Sequence, residues 1–306
     1  MILCCGEALI DMLPRETAGG EACFAPYPGG AVFNTAIALG RLGTPAGLLS
    51  GISTDLFGAQ LTRALAASQV RTDLAIRSDR PTTLAFVTLT EGQARYAFYD
   101  ENTAGRMLTP TELPAIPADV AALFFGGISL AVEPCATAYE ALALREAPHR
   151  LLMLDPNIRP GFIRDEAGYR ARIARMIAAA DIVKLSDEDL RWLEGPGETE
   201  TRARVILARG PRIVFITEGA NGAYGFSATD AVFVPAQRVA VVDTVGAGDT
   251  FNAGVLAALH RGALSKAAVA AADGALIESC LRLGVLAASV TVGRAGANPP
   301  WAKELP

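Results

Sequence analysis

The chain has 306 residues, 51% of them hydrophobic and 19% charged, and its 27 basic and 32 acidic side chains leave a net charge of −5. That length suits one large α/β domain or two ordinary ones, and that apolar content buries a core and excludes wholesale disorder. The slightly acidic, run-free balance argues against a nucleic-acid binder, which needs a basic face.

The N-terminal stretch MILCCGEALIDML has no basic lead and no small-residue cleavage signal, so no targeting peptide is expected. Its residues 2–5 read as a short buried strand, and Asp11 follows in GEALIDM. Cys4 and Cys5 belong to an odd, scattered set of five cysteines with no CxxC pair, and only His149 and His260 could join them. A zinc site or disulfide framework is therefore not expected, and a reducing cytoplasm fits.

Residues 21–27 (EACFAPY) look like an antiparallel strand. Next comes PGGAVFNTAIALGRLG, a helical pattern over 31–42 placed directly behind Gly29 and Gly30. A strand at 46–49 and a helix at 56–67 continue the alternation. Residues 83–99 break it with two period-two runs around a turn at Glu91-Gly92-Gln93, the pattern of a hairpin. Strands at 120–125, 151–154, 182–185 and 213–216 then alternate with helices at 133–146, 169–179 and 202–209. This βαβ alternation implies a mostly parallel sheet with helices on both faces. The longest apolar run, near DVAALFFGGISLAVE, is too short for a bilayer span, so no membrane partner is expected. No repeat or Pro-rich linker divides the chain. One domain over 1–306 is expected, with β segments at about 12–28 and 82–102 as a lid.

The stretch DTVGAGDTFNAG (243–254) carries the chemistry. Arg238 to Val242 is β-branched and apolar and reads as a strand, while Phe251, Val255 and Leu259 recur at helical spacing with Gly262 as a C-cap. Between them Gly246 and Gly248 let backbone N–H groups converge, and the helix N-terminus makes an anion site. Asp249 beside a phosphate is repulsive unless it accepts a proton from an attacking hydroxyl, as a general base. The loop by itself is equally consistent with a tight turn before a helix with an acidic first residue. A GxGxxG dinucleotide fingerprint fails on Phe251, and the GK[ST] of a Walker loop occurs nowhere.

Taken together, DTVGAGDTFNAGVL and PGGAVFNTAIALGRLG resemble the two signatures of the ribokinase-like (PfkB) carbohydrate kinases, in the expected order and over essentially the whole chain. The resemblance implies a three-layer α/β/α sandwich with a β-sheet lid and ATP-dependent phosphorylation of a sugar hydroxyl. Carried over by motif, Asp249 would be the base and the Gly246, Ala247 and Gly248 amides the anion hole. Asp11, and Asn34 behind Gly29 and Gly30, would hold sugar hydroxyls. The two glycines would belong to the substrate site, Gly30 letting the ring approach the backbone. Read alone, Asp11 is equally a strand-end turn residue and Asn34 a polar helix residue facing water. TEGANG (217–222) resembles the nucleotide loop, which assigns Thr217, Gly219 and Gly222 to ATP, although Asn221-Gly222 also suits a plain hairpin turn. Lys184 and Ser186, in KLSDEDL, sit where the family often has an Asn-x-x-Glu motif ordering Mg²⁺ through water. Asp189 takes the Glu place with Glu188 beside it, and the same run is also an N-capped helix start. AASVTVGRAGANPP resembles the adenine wall and monovalent-cation segment, so potassium dependence is allowed, with Asp243 as contributor. Family lids often pair between subunits, which implies a homodimer.

For the sugar, YAFYDENTA and DPNIRP resemble the fructokinase and 2-keto-3-deoxygluconate kinase branch. A sugar acid needs a cation in the lid, where this chain has Asp100 after Phe98 and Tyr99; like charges repel in a closed site. Arg159 can contact a hydroxyl or a carboxylate, and Phe98 would supply an apolar wall. A neutral ketohexose, fructose, is therefore expected, with 2-keto-3-deoxygluconate as the alternative. A nucleoside is disfavoured for want of an aromatic cage. A catalytically silent sugar-binding protein is disfavoured because a binder needs no base aimed at phosphate.

Overall fold

In the computed structural model, which describes residues 1–90, 93–262 and 264–306, the alternation becomes a nine-stranded sheet. From one edge its order is Ala231–Pro235, Gly222–Phe226, Ile213–Thr217, Ile182–Ser186, Leu151–Asp155, Ala122–Gly126, Ile2–Cys5, Ala46–Leu49 and Val70–Arg71. The seven strands from Ile213–Thr217 onward run parallel, and the last two added, Gly222–Phe226 and Ala231–Pro235, are antiparallel. Parallel strands need crossover helices, and these cover both faces.

Period-two burial sorts the strand side chains into two cores. Ile2 and Cys4 pack toward the helices Ala31–Arg41, Ala247–Gly262 and Gly274–Val292; Leu3 and Cys5 pack toward Cys135–Glu146, Glu166–Ala179 and Thr199–Leu207. This is the expected three-layer α/β/α sandwich. The Ala247–Gly262 helix is buried from Asp249 through Leu259. It lies so close to Gly274–Val292 that a Cβ on Gly254 would stand 2.6 Å from the Gly284 Cα. Two glycines meeting there set the close approach of the helices.

A separate four-stranded sheet, in the order Ala22–Gly29, Leu9–Glu16, Leu84–Thr90, Gln93–Tyr99, stands beside the main one. The two antiparallel stretches read from the sequence both fall in it. The turn expected at Glu91-Gly92-Gln93 lies at residues 91–92, outside the described residues. Register places Asp11 opposite Ala85 and Ala85 opposite Phe98, so Asp11 and Phe98 share one face.

Two expectations fail. Residues 238–242 form no strand: Val239, Val241 and Val242 stay exposed, and Val242 N–H donates to the Val292 carbonyl instead of to a neighbouring strand. β-branched residues favour extended backbone, but this segment does not join the open edge at Ala231–Pro235, and its Val242 and Asp243 N–H groups both go to the Val292 carbonyl. Nor is DVAALFFGGISLAVE the longest apolar element. The 19-residue helix Gly274–Val292, with mean hydropathy 1.6, has the length and composition of a membrane span. Its Ile277, Cys280, Leu281 and Ala287 are fully buried in the fold, as in a core helix.

Candidate active site

Strand carboxyl ends converge where the order reverses around Ile2–Cys5, the usual ligand crevice of an open α/β sheet. A cleft of about 1060 Å³ opens there and also takes in the inner face of the small sheet. It brings together nine residues singled out from the sequence: Asp11, Gly30, Phe98, Asp100, Arg159, Lys184, Gly246, Gly248 and Asp249.

Asp249 sits in the first turn of Ala247–Gly262 and is 8% exposed. Asn34 Nδ2 donates to its Oδ2 at 2.9 Å, and Thr35 Oγ1 donates to its backbone carbonyl at 3.2 Å. Both partners come from the N-terminal half of Ala31–Arg41, so the two signature helices meet at Asp249, through its carboxylate and its backbone carbonyl. Burial pushes the Asp249 carboxyl up to about 7; the Asn34 hydrogen bond opposes the rise, Asp155 adds to it and Lys184 opposes it. The turn before the helix needs glycine: Gly246 has φ of 78°, and a Cβ there would lie 2.7 Å from the Ala297 Cβ.

Gly30, at φ 105°, is the N-cap of Ala31–Arg41 and would press a Cβ to 3.0 Å from the Glu7 carbonyl. Glu7 accepts from the N–H groups of Ala31 at 3.0 Å and Ser129 at 3.3 Å, and burial raises its pKa despite these bonds. Burial alone brings Asp11 to about 6. Gly29 has no room for a side chain, since a Cβ would fall on the Asp11 carboxylate.

The wall opposite carries Phe98, edge-on to Phe162 at 4.2 Å. Asp100, treated above as a bare repulsive charge, is ion-paired with Arg106 at 3.0 Å, both mostly buried. That pairing softens the repulsion argument. Arg106 was missed because its partner lies six residues away across an irregular turn, with no helical or strand periodicity to connect them. Arg159 lines the cleft with one described hydrogen bond, to the Ile158 carbonyl at 3.1 Å, and no ion pair among the described residues.

Further along the strand ends, Lys184 reaches the cleft while Ser186, Glu188, Asp189, Thr217, Gly219, Gly222 and Asp243 lie outside its lining. Ser186 caps the helix Asp187–Glu194, accepting from the Asp189 N–H at 3.0 Å. Asp189 answers with both oxygens, accepting from Ser186 N–H at 3.1 Å and Ile158 N–H at 2.9 Å, while Glu188 is exposed. The helix-start reading of SDEDL is thus the observed one, and Asp189 would have to share its lone pairs with any metal. Thr217 ends its strand, and a tight turn with Gly219 at φ 52° and Glu218 N–H bonded to the Gly222 carbonyl leads into Gly222–Phe226. Asp243 accepts from Val245 N–H at 3.0 Å and Gly296 N–H at 2.9 Å, tying the Gly-rich loop to the segment after Gly274–Val292. Among the described residues no cluster of three His, Cys, Asp or Glu makes a ready metal cage. Mg²⁺ needs no such cage, since it keeps several waters and is held by one or two carboxylates plus substrate phosphates.

A buried carboxylate of raised pKa lining a cleft with room for more than a sugar, beside a glycine turn at a helix N-terminus, suits a phosphotransferase acting on an alcohol. The pfkB family carbohydrate kinase model matches residues 1–304, and the chain belongs to that family. It is 55% identical over 285 residues to a fructokinase of Rhizobium leguminosarum bv. trifolii, covering 93% of this chain and 86% of that protein. A fructokinase of Klebsiella pneumoniae is 32% identical, with 92% of each chain covered. The crystal structure of a Xylella fastidiosa fructokinase with bound ATP superposes with a TM-score of 0.89 at 28% identity, covering 100% of this chain and 94% of that one.

Proposed function

We propose that this protein is a fructokinase, transferring the γ-phosphoryl group of ATP to the 6-hydroxyl of D-fructose. The observation that carries the reading is the buried Asp249 carboxylate, held by Asn34 at the mouth of the Gly246–Gly248 turn, in one cleft with Asp11. Asn34 occupies Oδ2, so Oδ1 is the oxygen left to take the hydroxyl proton. As the sugar oxygen forms its bond to the γ-phosphorus, the bond to the β,γ-bridging oxygen breaks, ADP leaves, and the proton goes to Asp249. A base of pKa about 7 is half ionised at neutral pH and well matched to that transfer. The amides of Gly246 and Gly248 meet the phosphoryl charge, that of Ala247 joins them by giving up its 3.3 Å bond to the Thr244 carbonyl, and removing one such donor typically costs about 10²–10³-fold in rate.

Asp11 and Asn34 offer an acceptor and a donor to sugar hydroxyls, Gly29 and Gly30 give the ring access to backbone, and Phe98 walls one side. Thr217, Gly219, Gly222, Lys184 and Ser186 are the residues assigned to ATP. Mg²⁺, ordered by Glu188 or Asp189 through water, shields phosphate charge when bound. Asp243 is the side chain assigned to a potassium site, and turnover that is equal in sodium and potassium refutes that assignment. The small sheet is read as a lid that keeps water from the phosphoryl group. Its Phe24 and Tyr99, on the face away from Asp11 and Phe98, are 42% and 64% exposed, which supports pairing of two lids in a homodimer. Sedimentation of a monomer at assay concentration refutes that pairing. The free cysteines, four of them buried, fit the cytoplasm.

A second reading, 2-keto-3-deoxygluconate kinase, draws on Arg159, which with Arg164 is one of two guanidinium groups in the cleft lining that have no ion pair among the described residues. ADP release with Mg-ATP and potassium across fructose, ribose, glucose, adenosine and 2-keto-3-deoxygluconate decides between them. Preference for fructose is expected. Preference for the keto-acid would give Arg159 precedence, and silence on every sugar would overturn the kinase reading.

A further inference from the structure

Burying an ion pair seldom adds stability, because desolvating both charges offsets their attraction. Lys184 and Asp155 form such a pair, 5% and 2% exposed, with Nζ 3.1 Å from Oδ2. They sit on neighbouring strands that pair at Leu154 and Val183, and both line the cleft. Asn252 completes the group. Its Nδ2 donates to the same Asp155 oxygen at 2.6 Å, while its buried Oδ1 finds no partner. An amide left half unsatisfied in a helix with no exposure is held there for the bond it does make. The second Asp155 oxygen accepts from the Asn157 N–H at 3.1 Å, so the carboxylate cannot rotate freely.

Asn252 lies three residues beyond Asp249, one turn along the same helix. The Lys184 ammonium lies 3.4 Å from where a Gly248 Cβ would be, against the positive end of that helix. Asp155 holds it there against the helix dipole, with Asp189 and Asp249 also attracting it, and at the glycine turn it is placed to meet a further anion. Lysine has three donors, and one is committed to Asp155. Released from Asp155, the flexible stem could swing the ammonium onto Asp249 and quench the base.

We propose that Asp155 and Asn252 are positioning residues for phosphoryl transfer: Asn252 fixes the Asp155 carboxylate, and Asp155 holds the Lys184 ammonium beside Gly248, where it meets the transferring phosphoryl group. The inference rests on the phosphoryl-transfer reading of the cleft. It makes Lys184 the residue that touches substrate and the other two residues that act only through it.

A double-mutant cycle tests this. Lys184→Met is expected to lower kcat by about 10²-fold, in the range for losing an electrostatic stabiliser, with fructose KM within about threefold. Lys184→Arg should recover part of the loss. Asp155→Asn and Asn252→Ala should each lower kcat by about tenfold in the native background and have no further effect on Lys184→Met, because they act through the same group. Equal losses on both backgrounds, or losses confined to fructose KM, would overturn the proposal. Should Asp155→Asn fail to fold, Asn252→Ala carries the same comparison. Calorimetric binding of Mg-ATP and Mg-ADP without sugar separates this inference from the sugar assignment. Lys184→Met and Asp155→Asn should weaken ATP more than ADP, and equal weakening overturns the inference even if fructose proves to be the substrate. A native enzyme silent on every sugar sinks the kinase reading, while the nucleotide comparison still reads the lysine.

Discussion

Replacing Asn34 by alanine should move the pH at which the enzyme switches on. Asp249 must be ionised to accept a proton, so kcat/KM in the native enzyme should rise with pH to a plateau, with its midpoint at about 7. Asn34 Nδ2, 2.9 Å from Oδ2, is the largest influence holding that value down against burial. A hydrogen bond to a charged group contributes about 1.5–3 kcal/mol. At about 1.36 kcal/mol per pH unit, its loss raises the midpoint by about 1–2 units. Lys184 and Asp155 remain in place, so the shift isolates one bond. Coupled detection of ADP from about pH 5.5 to 9.5 at low fructose reads it. Asn34 is also assigned to the sugar, so the plateau will fall, but its height and its midpoint are separate quantities. A midpoint that stays put or moves down would refute Asp249 as the titrating base or Asn34 as its partner.

Asp249→Asn should lower kcat by about 10²–10⁴-fold, the range for losing a general base, and near-normal turnover in a folded variant would remove Asp249 from the mechanism. The same variant should be more stable than the native protein above neutral pH. Because folding raises this carboxyl from 3.8 to about 7, the folded chain holds a proton the unfolded chain has released, and stability falls as pH climbs through that window. The full shift corresponds to about 4 kcal/mol, and urea titrations at pH 5 and 8 that show no gain at the higher pH would contradict it. Gly246→Ala forces an L-residue to φ 78° against Ala297; about 1–2 kcal/mol of backbone strain and a displaced amide should cost at least about tenfold in kcat. Unchanged kcat would mean that the loop amides do not meet the phosphoryl group. Asp100→Arg removes the Arg106 ion pair and places two guanidinium groups at the cleft wall, so it should improve acceptance of 2-keto-3-deoxygluconate. A marked loss of affinity for that acid would defeat the charge argument for the lid.

The fold was legible because parallel strands buried on both faces write themselves as short apolar runs between amphipathic helices, and six strands read this way appear within a residue or two of their expected places. Gly222–Phe226 and Ala231–Pro235 were not read, since an antiparallel edge carrying glycine and exposed residues lacks that continuous apolar run. At 238–242 the β-branched residues stay out of the sheet because the backbone bonds to the end of Gly274–Val292 instead. Asp249, Gly246 and Gly30 could be singled out because each sits in a local motif whose glycines answer to backbone conformation. Asp155, Asn252, Glu7 and Arg106 could not, since each acquires its task only from residues far away in the chain.

By itself, then, the amino-acid order determined the layer architecture and the glycine turn, which follow from periodicity and from φ angles that only glycine adopts freely, and it marked Asp249 as the candidate base only through the two signatures taken together. Tertiary structure alone decided the electrostatics. Asn34 and Asp249 are 215 residues apart yet hydrogen-bonded, and Lys184 answers to Asp155 across a strand gap of 29 residues. Burial at those meeting points, invisible in any local window, lifts an ordinary aspartate to about 7, where it can serve as a base.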